Sequence, residues 1–406
     1  MRALLLFLVV SLSGVEAATA ADQVPSRRHR ADPSAQQVRP AGGNPGDPLP
    51  GLTDAQLLDF AAGKDEFLNV EDAEGGLGPI FNNSSCVSCH SAPAAGGSSA
   101  ELVTRFGLSD GDLFDPLADL GGSLLQSQAI DPLAQELVPD IADVVAMRES
   151  TPLFGLGLIE AIPDEAIIAN ARRQKRNGVG GRVAMVADLA SGELRVGRFG
   201  WKAQLATLLD FAADAYVNEM GITSRIFPDE NAPNGNQELL AQFDAVLDPE
   251  DQVDEEIGKG DIDHAADFMR LLAPPARRSS SASARAGERL FDSVGCSDCH
   301  TPQFRTGSNE IAALSRKQVA LYSDLLLHDM GSLADGIAQG AATPREMKTA
   351  PLWGLRDSAP YLHDGRAATV DAAIQGHEGE AARTRSAYLR LGNLDRQQLL
   401  DFLDSL

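Results

Sequence analysis

The sequence predicts a mainly α-helical protein of two domains, the first of which is enlarged by an insert that contains a β-hairpin. Three observations support this fold class. Apolar residues recur at helical spacing in several segments. Two short strand-like segments flank a turn at residues 190–192. A Cys-x-x-Cys-His motif occurs once in each half of the chain, at residues 86–90 and 296–300.

The amino terminus has the features of a secretory signal peptide. Arg2 precedes an apolar run, and an Ala-x-Ala cleavage site at residues 18–20 precedes Ala21. The apolar run is too short to span a membrane. We therefore expect residues 1–20 to be removed on export to the periplasm, without stable membrane insertion. Residues 21–50, which are rich in Pro, Gly, Gln and Arg, are predicted to form a disordered tether.

The rest of the chain divides at a linker. Residues 274–285 begin with two prolines and continue with arginines and serines. They separate an N-terminal domain at residues 51–273 from a C-terminal domain at residues 286–406. A helix is predicted at residues 52–64, with Thr53 and Asp54 as cap candidates. Further elements are a helix from Pro163, hairpin strands at residues 182–187 and 193–199, and a closing helix at residues 394–406.

The two domains share a short repeated pattern. Residues 151–156 (TPLFGL) follow the first Cys-x-x-Cys-His motif, and residues 350–355 (APLWGL) follow the second. Each is followed by an Ala-Thr-aliphatic helix start, at residues 206–208 and 368–370. We interpret the pattern as a duplicated module whose first copy carries a large insert.

The chemistry of the Cys-x-x-Cys-His motif predicts the cofactor. Two thiols one turn apart can form thioethers with the two vinyl groups of one porphyrin, and the following His becomes the proximal iron ligand. The two motifs use all 4 cysteines of the chain, which are Cys86, Cys89, Cys296 and Cys299. We therefore predict two cytochrome c-like domains, each with a covalently bound haem c, and His90 and His300 as iron ligands. Structural zinc or a thioredoxin-like dithiol fits less well, because the motifs are far apart and lack a βαβ context.

The group on the opposite face of each haem determines function. A second strong ligand makes an electron carrier, whereas an open position admits peroxide or oxygen. The chain has 7 histidines. His29 lies in the predicted tether, and His264 lies in a helical stretch as a surface or core residue. Apart from these and the two motif histidines, the remaining ones are in the second domain, namely His328, His363 and His377. The soft candidates near the first haem are Met147, Met220 and Met269, and we expect an open position there instead.

The charge balance limits the partners. The chain has 34 basic and 58 acidic residues, for a net charge of -24. This charge disfavours nucleic acid and anionic membranes. It would favour a small basic redox protein as the electron donor or acceptor, and the alternative is an acidic surface that is simply solvated.

Several segments resemble a known family. Residues 359–366 (APYLHDGR) are similar to the Pro-Tyr-x-His-Asp-Gly motif of bacterial di-haem cytochrome c peroxidases and of MauG enzymes. Within that superfamily, the chain most resembles the di-haem thiol oxidoreductase-like, peroxidase-related family. The segments that carry the resemblance are residues 81–90 (FNNSSCVSCH), 151–164 (TPLFGLGLIEAIPD), 199–203 (FGWKA) and 361–381 (YLHDGRAATVDAAIQGHEGEA).

The resemblance implies a peroxidase-like oxidoreductase in which the C-terminal haem relays electrons to a reactive N-terminal haem. The oxidant is hydrogen peroxide or a similar compound. The second-haem ligand of the relatives falls on His377, with His363 as a structural residue and Met330 as the alternative ligand. Trp201 takes the place of the Trp between the haems, and Glu219 that of the catalytic acid–base. A calcium ion between the domains is also implied.

Two positions depart from the family pattern. A Gln that accompanies the catalytic Glu in the relatives falls on Phe211. The His that caps the first haem in resting peroxidases has no counterpart. The alternative function is a di-haem electron-transfer cytochrome without catalysis, and a third is a redox or ligand sensor.

Overall fold

The computed structural model describes residues 43–111, 113–172 and 178–406. The predicted signal peptide at residues 1–20 and most of the predicted tether lie outside these residues. The described residues all belong to the unit Arg39–Leu406. No described helix combines the length and apolar character that crossing a membrane requires.

The fold is mixed, with 34% helix and 15% strand, and the prediction of a mainly α protein is wrong in this respect. The described residues form 11 helices and twelve short strands. The helices α1 to α11 are Asp54–Leu68, Cys86–Cys89, Leu156–Glu160, Asp164–Ala171, Leu208–Ala215, Gln237–Phe243, Asp261–Leu271, Ala282–Val294, Val370–Gln375, Ala382–Leu389 and Asn393–Asp404. The strands β1 to β12 are Ile80–Phe81, Leu102–Asp110, Leu113–Asp115, Leu124–Leu125, Gln128–Ala129, Val144–Glu149, Met185–Ala187, Leu194–Val196, Phe304–Arg305, Gln318–Val319, Leu327–Asp329 and Glu346–Lys348.

The largest sheet explains the difference from the predicted fold class. Strand β2 pairs antiparallel with β3, β4 and β6, with Leu102 opposite Glu149 and Gly107 opposite Val144. Burial along β2 does not alternate from residue to residue. Burial that does not alternate gives no period-2 signal, and the pairing of β2 with β6 joins residues dozens of positions apart. The sheet therefore depends on long-range pairing, and it brings the end of β6 towards the second half of the chain.

The N-terminal helices form the larger core. Thr53 caps α1 as predicted, in a capping box with Gln56. The buried face of α1 packs against α7, where Phe60 and Phe67 lie 5.3 and 4.7 Å, ring centroid to centroid, from Phe268. This packing places the end of α1 beside the first Cys-x-x-Cys-His motif.

The C-terminal core is smaller. Helices α8 and α11 pack together, and α11 coincides with the predicted closing helix. Phe291 lies 5.3 Å from Phe402 and 5.8 Å from Tyr322, both in edge-on arrangements. Aromatic pairs of this kind stabilise beyond the area that they bury. Phe291 also lies 6.4 Å from His300, centroid to centroid, so the cluster packs against the second Cys-x-x-Cys-His motif.

The repeated pattern has a structural counterpart. Thr207 caps α5 by accepting a hydrogen bond from the backbone N–H of Asp210, and Thr369 caps α9 in the same way from Ala372. Gly155 and Gly354 both adopt left-handed conformations, with φ of 74° and 68°. Helical turns follow both glycines, which is what a repeated local sequence predicts.

The ends of the predicted tether and of the predicted linker have regular structure, which the sequence does not indicate. The backbone N–H of Leu49, in the predicted tether, donates to the carbonyl of Leu271 at 2.7 Å, and the Leu49 side chain is buried. Helix α8 begins inside the predicted linker, with Ser281 as its cap. The strands β7 and β8 pair antiparallel within the predicted hairpin.

A buried ion network ties the two halves of the sequence together. Arg148 and Lys202 both contact Asp335, at 2.7 and 2.8 Å, and all three side chains are almost fully buried. Breaking such a network by removing one partner leaves an uncompensated buried charge. The network fixes the end of β6 and residues 199–203 against the second half of the chain.

Candidate functional site

The first Cys-x-x-Cys-His motif forms helix α2, and His90 ends it. The backbone N–H of His90 donates to the carbonyl of Cys86, and its ring Nδ1 lies 3.0 Å from the carbonyl oxygen of Gly97. Phe67 packs beside the ring, at 6.2 Å between centroids. Burial lowers the pKa of His90 to about 4, so the ring is neutral at physiological pH. A neutral imidazole whose Nδ1 faces a carbonyl presents Nε2 as a ligand.

The second motif forms a helical turn at Cys296–Asp298, and His300 follows it. The backbone N–H of His300 donates to the carbonyl of Cys296 at 2.9 Å, and ring Nδ1 lies 2.9 Å from the carbonyl oxygen of Tyr322. Burial, with the nearby His377, lowers the pKa of His300 to about 4. In both motifs, therefore, the histidine has its Nδ1 next to a backbone carbonyl and is neutral at physiological pH.

The thiols do not have the character of a dithiol redox centre. Burial raises the pKa of Cys86 to about 12 and that of Cys89 to about 11. Burial also raises the pKa of Cys296 to about 12. Reactive Cys-x-x-Cys dithiols have lowered pKa values instead. The environment of these cysteines disfavours thiol chemistry and fits thioether attachment.

One cavity of about 290 Å³ adjoins the second motif. Its walls are mostly apolar. The residues of the motif that line it are Cys296, Cys299 and His300, and predicted site residues on its other walls are Trp201, Met330, His363 and His377. An apolar cavity flanked by two thiols and an imidazole fits a covalently bound haem.

His377 faces His300 across this cavity. The ring centroids are 6.5 Å apart, and the rings are inclined by 57°. Two imidazoles that bind one metal ion from opposite sides, with bonds of about 2.0 Å, hold their centroids roughly 6 Å apart. The Nδ1 atom of His377 lies 2.8 Å from the carbonyl oxygen of Ala373, which leaves Nε2 for a ligand. Burial lowers the pKa of His377.

The other two histidines of this region have different surroundings. His363 is buried, and its ring lies edge-on to Trp201 at 6.2 Å between centroids. His328 has carboxylates at both ring nitrogens. Its Nε2 lies 3.0 Å from Asp324, and its Nδ1 lies 2.9 Å from Glu380. Burial opposes protonation of His328, but hydrogen bonds to Asp324, Cys299 and Glu380 outweigh it and raise the pKa to about 12.

Glu219 lies beside the first motif rather than in this cavity. It belongs to the π-helical turn Tyr216–Met220 that follows α5. The side-chain amide of Asn82 donates to Glu219 Oε2 at 2.9 Å, and Asn83 lies 3.7 Å from Cys89 Sγ. Burial raises the pKa of Glu219, while Arg105 and Asn82 oppose the shift. The carboxyl is therefore suited to hold and release a proton next to the first motif.

Trp201 lines the cavity beside the second motif and is connected to the first motif through residues 149 and 150. Its indole N–H donates to the carbonyl oxygen of Glu149 at 2.8 Å. The hydroxyl of the next residue, Ser150, donates to the carbonyl oxygen of Cys89 at 2.5 Å. A short chain of contacts therefore leads from Cys89 to Trp201 and on to His363.

Glu149 belongs to none of the sequence motifs. This residue is 5% exposed and lines the cavity, and its Oε1 is without a hydrogen-bond partner among the described residues. Burial, and then the charge of Asp364, raise the pKa of Glu149 to about 7. A buried carboxyl of this kind is typical of functional sites. Its only sequence signal is its position two residues before the repeated TPLFGL segment.

The methionine candidates for the first haem, and the residue at the position of the family's Gln, lie in the core or on the surface. Met220 and Met269 are buried in the large core, and Met147 is 40% exposed on β6. Phe211, at the position of the family's Gln, stacks on Phe199 at 6.0 Å.

The predicted calcium ion stays a prediction. Among the described residues, one group of three acidic side chains has ligand atoms within 4.8 Å of one another, namely Glu230, Asp248 and Glu250.

Comparison with solved structures gives distant similarities. The di-haem peroxidase BthA from Burkholderia thailandensis is 14% identical, with 91% of this chain and 92% of that chain covered and a TM-score of 0.41. Hydrazine synthase from Kuenenia stuttgartiensis is also 14% identical, with 98% and 100% covered and a TM-score of 0.39. A MauG-like protein associated with microbial copper homeostasis is 18% identical, with 63% and 89% covered and a TM-score of 0.31.

Comparison with families is decisive. No curated protein matches the sequence. The model of the family described as "Di-haem oxidoreductase, putative peroxidase" matches residues 126–406, which is more than half of the chain. This match includes the second Cys-x-x-Cys-His motif, Trp201, Glu219 and His377. The chain therefore belongs to the di-haem oxidoreductase family.

Proposed function

We propose that the protein is an exported di-haem c-type peroxidase in which the C-terminal haem relays electrons to a reactive N-terminal haem. The observation that carries the proposal is the difference between the two motifs. His300 has a second imidazole facing it at 6.5 Å, which fits an electron-carrying haem with two strong ligands. The first motif instead has a carboxyl with a raised pKa, that of Glu219, nearby.

The residues that would hold the two haems follow from the motifs. Cys86 and Cys89 would attach the first haem, with His90 as its ligand. The second haem would be attached by the corresponding cysteines, with His300 and His377 as ligands. The haem irons supply electron storage and a binding position for the oxidant. The backbone carbonyls at Nδ1 of His90 and His300 would orient both rings and raise their basicity as ligands.

Glu219 would move the protons of the reaction. Reduction of hydrogen peroxide to two waters consumes two protons and two electrons. One oxygen must lose a proton and the departing oxygen must gain one, and a single positioned carboxyl can do both. Asn82 would hold the carboxyl in place through its amide hydrogen bond. Because burial raises the pKa of Glu219, the carboxyl can carry a proton closer to neutral pH.

Trp201 would support electron transfer between the two haems. Its ring lies beside His363 at the cavity next to the second motif, and its N–H donates to the backbone carbonyl of Glu149. The Ser150 hydroxyl continues the connection to Cys89 of the first motif. His363 would then be a structural residue of this junction, with His377 as the ligand and Met330 as the alternative.

The partners of the proposed enzyme follow from charge. A small redox protein with a basic surface would be steered to a chain of net charge -24 and would deliver electrons to it. Hydrogen peroxide or a similar oxidant would accept them. Nucleic acid and the membrane are not expected partners. The predicted signal peptide would direct the chain to the periplasm, where haem c is attached.

A di-haem electron-transfer cytochrome without catalysis is the alternative. The observation that favours it is Phe211, which stacks on Phe199 where the relatives have a Gln next to the catalytic Glu. A redox or ligand sensor would share the same ligands.

Spectroscopy of the oxidised holoprotein tests the proposal. We expect electron paramagnetic resonance to show one low-spin and one high-spin haem, and the half-reduced protein to react with hydrogen peroxide in a stopped-flow experiment. Two low-spin haems and no reaction with peroxide would refute the peroxidase function and support the electron-transfer cytochrome.

A further inference from the structure

His328 occupies an unusual position for a histidine that is not a ligand. It lies on β11 and is 2% exposed. Its ring is held between two carboxylates, Asp324 at 3.0 Å and Glu380 at 2.9 Å. Because both ring nitrogens have carboxylate partners, His328 is unsuited to bind iron. A buried imidazole between two acids is a costly arrangement unless all three groups remain together.

One end of this arrangement is fixed to the His300 side of the haem site. The backbone N–H of Asp324 donates to the carbonyl oxygen of Cys299 at 2.9 Å, and Asp324 is fully buried. The ring of His328 also lies 3.7 Å from Cys299 Sγ. Asp324 and His328 are therefore both in contact with the second Cys-x-x-Cys-His motif.

The other end is fixed to the His377 side. Glu380 is three residues after His377 and also accepts a hydrogen bond from the backbone N–H of Gly180 at 2.8 Å. Glu378 accepts one from the hydroxyl of Ser332 at 2.6 Å. Between them, Gly379 has a φ of 56°, and an added Cβ would lie 2.2 Å from the carbonyl oxygen of Asp329. The segment after His377 is therefore packed closely onto the end of β11.

We propose that His328 is a positioning residue that connects the His300 side of the C-terminal haem to the His377 side and holds His377 within ligating distance. The inference rests on the proposed ligation by His377 and adds the device that maintains it. Partners of metal ligands contribute to affinity in this way, and their loss typically costs about 10- to 100-fold in binding. Without the imidazole, Asp324 and Glu380 would face each other as two acids and the His377 segment would move away.

The test uses the full-length holoprotein with His328→Gln. We expect two haems by mass spectrometry, an unchanged N-terminal haem, and a C-terminal haem that becomes wholly or partly high-spin. The ligation equilibrium of His377 should weaken by about 10- to 100-fold. Added imidazole should restore the low-spin spectrum by occupying the vacated position, a result that general destabilisation would not produce.

Glu380→Gln is the second variant, in case His328→Gln does not fold. It weakens the connection on the His377 side and keeps the buried pair of His328 and Asp324. A smaller shift in the same direction is expected. Arg345→Gln is the matched control, because it removes an exposed ion pair with Asp329 on the same strand, at 2.9 Å. Its spectrum should equal that of the wild type.

His377→Ala separates this inference from the proposed ligation. If His377→Ala becomes high-spin while His328→Gln and Glu380→Gln stay low-spin, the positioning role is wrong and the ligation stands. If His377→Ala itself stays low-spin, both are wrong.

Discussion

The two Cys-x-x-Cys-His segments hold their histidines alike and differ in what faces them. In both, a helical turn places the His, a backbone carbonyl lies about 3 Å from Nδ1, and burial lowers the pKa of the ring to about 4. Beyond the motif the surroundings differ. His300 is opposed by His377, whereas the surroundings of the first motif include Glu219 and Asn82. Under the proposed function, this difference would make the C-terminal site the electron relay and the N-terminal site the reactive centre.

The surroundings of the two sites also differ in charge. The His328 ring connects the carboxylates of Asp324 and Glu380 at the C-terminal site. At the N-terminal site, Glu219 and Asp214 both have their pKa values raised by burial, and Arg105 opposes both shifts. The ion group of His328, Asp324 and Glu380 would hold a neighbouring ligand in place. A carboxyl with a raised pKa, such as that of Glu219, is suited to proton transfer.

The largest expected effect comes from removing one pair of cysteines. The double variant Cys296→Ala and Cys299→Ala should keep only the N-terminal haem. The double variant Cys86→Ala and Cys89→Ala should keep only the C-terminal haem. Mass spectrometry of the exported protein measures the count. Because each pair serves one porphyrin, the losses should be independent. Zinc in place of iron in the wild-type protein would refute attachment at both sites.

The second prediction concerns His377 and its alternatives. His377→Ala removes the imidazole that faces His300, so the C-terminal haem should change from low-spin to high-spin in the absorption and paramagnetic resonance spectra. His363→Ala and Met330→Ala should leave it low-spin. Met220→Ala, the corresponding test at the first site, should leave both spectra unchanged. A high-spin conversion by His363→Ala or Met330→Ala alone would reassign the ligand.

The third prediction separates the two sites by their chemistry. Glu219→Gln keeps the shape and removes the proton-transfer group, so the rate with hydrogen peroxide should fall by about 10² to 10⁴. Both haems should remain attached with unchanged spectra. Glu238→Gln, at an exposed position on α6, serves as the control and should react at the wild-type rate. Stopped-flow absorption measures the rates, and equal rates for Glu219→Gln and wild type would remove Glu219 from the mechanism.

The fourth prediction concerns the connection between the sites. Trp201→Phe loses the indole N–H that donates to Glu149 and should slow electron transfer from the C-terminal to the N-terminal haem several-fold. The chain has 2 Trp residues, so Trp353→Phe is the matched control. Rapid reduction followed at a wavelength specific to each haem measures the transfer. If Trp353→Phe slows it and Trp201→Phe does not, the relay runs through the other indole.

The smallest expected effect is a pH dependence of stability from Glu149. Burial and Asp364 raise its pKa from the ordinary 4.5 to about 7, so the folded protein binds this proton more tightly than the unfolded chain. The stabilisation is complete below about pH 4.5 and is lost as the pH rises through about 7. Between pH 5 and pH 8 the wild type should lose on the order of 1 to 3 kcal/mol more unfolding free energy than Glu149→Gln. Denaturant titrations at both pH values measure it, and parallel losses would contradict the assignment.

The sequence alone determined the features that depend on local chemistry. Two Cys-x-x-Cys-His motifs identify the cysteines and histidines that would attach and bind the haems, because thioether formation and ligation need these residues within one turn. The caps Thr53, Thr207 and Thr369 and the closing helix follow from side chains that bond their own backbone neighbours. The repeated TPLFGL and APLWGL segments likewise predict similar turns, which Gly155 and Gly354 make possible.

The tertiary structure decided what depends on residues far apart in the chain. Pairing of β2 with β6 contributes to the mixed fold. The sequence does not predict this pairing, because the two strands are far apart in the chain. Burial beside Asp364 gave Glu149 its raised pKa, which a sequence cannot express. The distance between His300 and His377, and the contact of His328 with both sides of that site, arise from packing of separate segments. The sequence gives the types of side chain that are present. Only the folded structure determines which of them are in contact and how far each is buried from water.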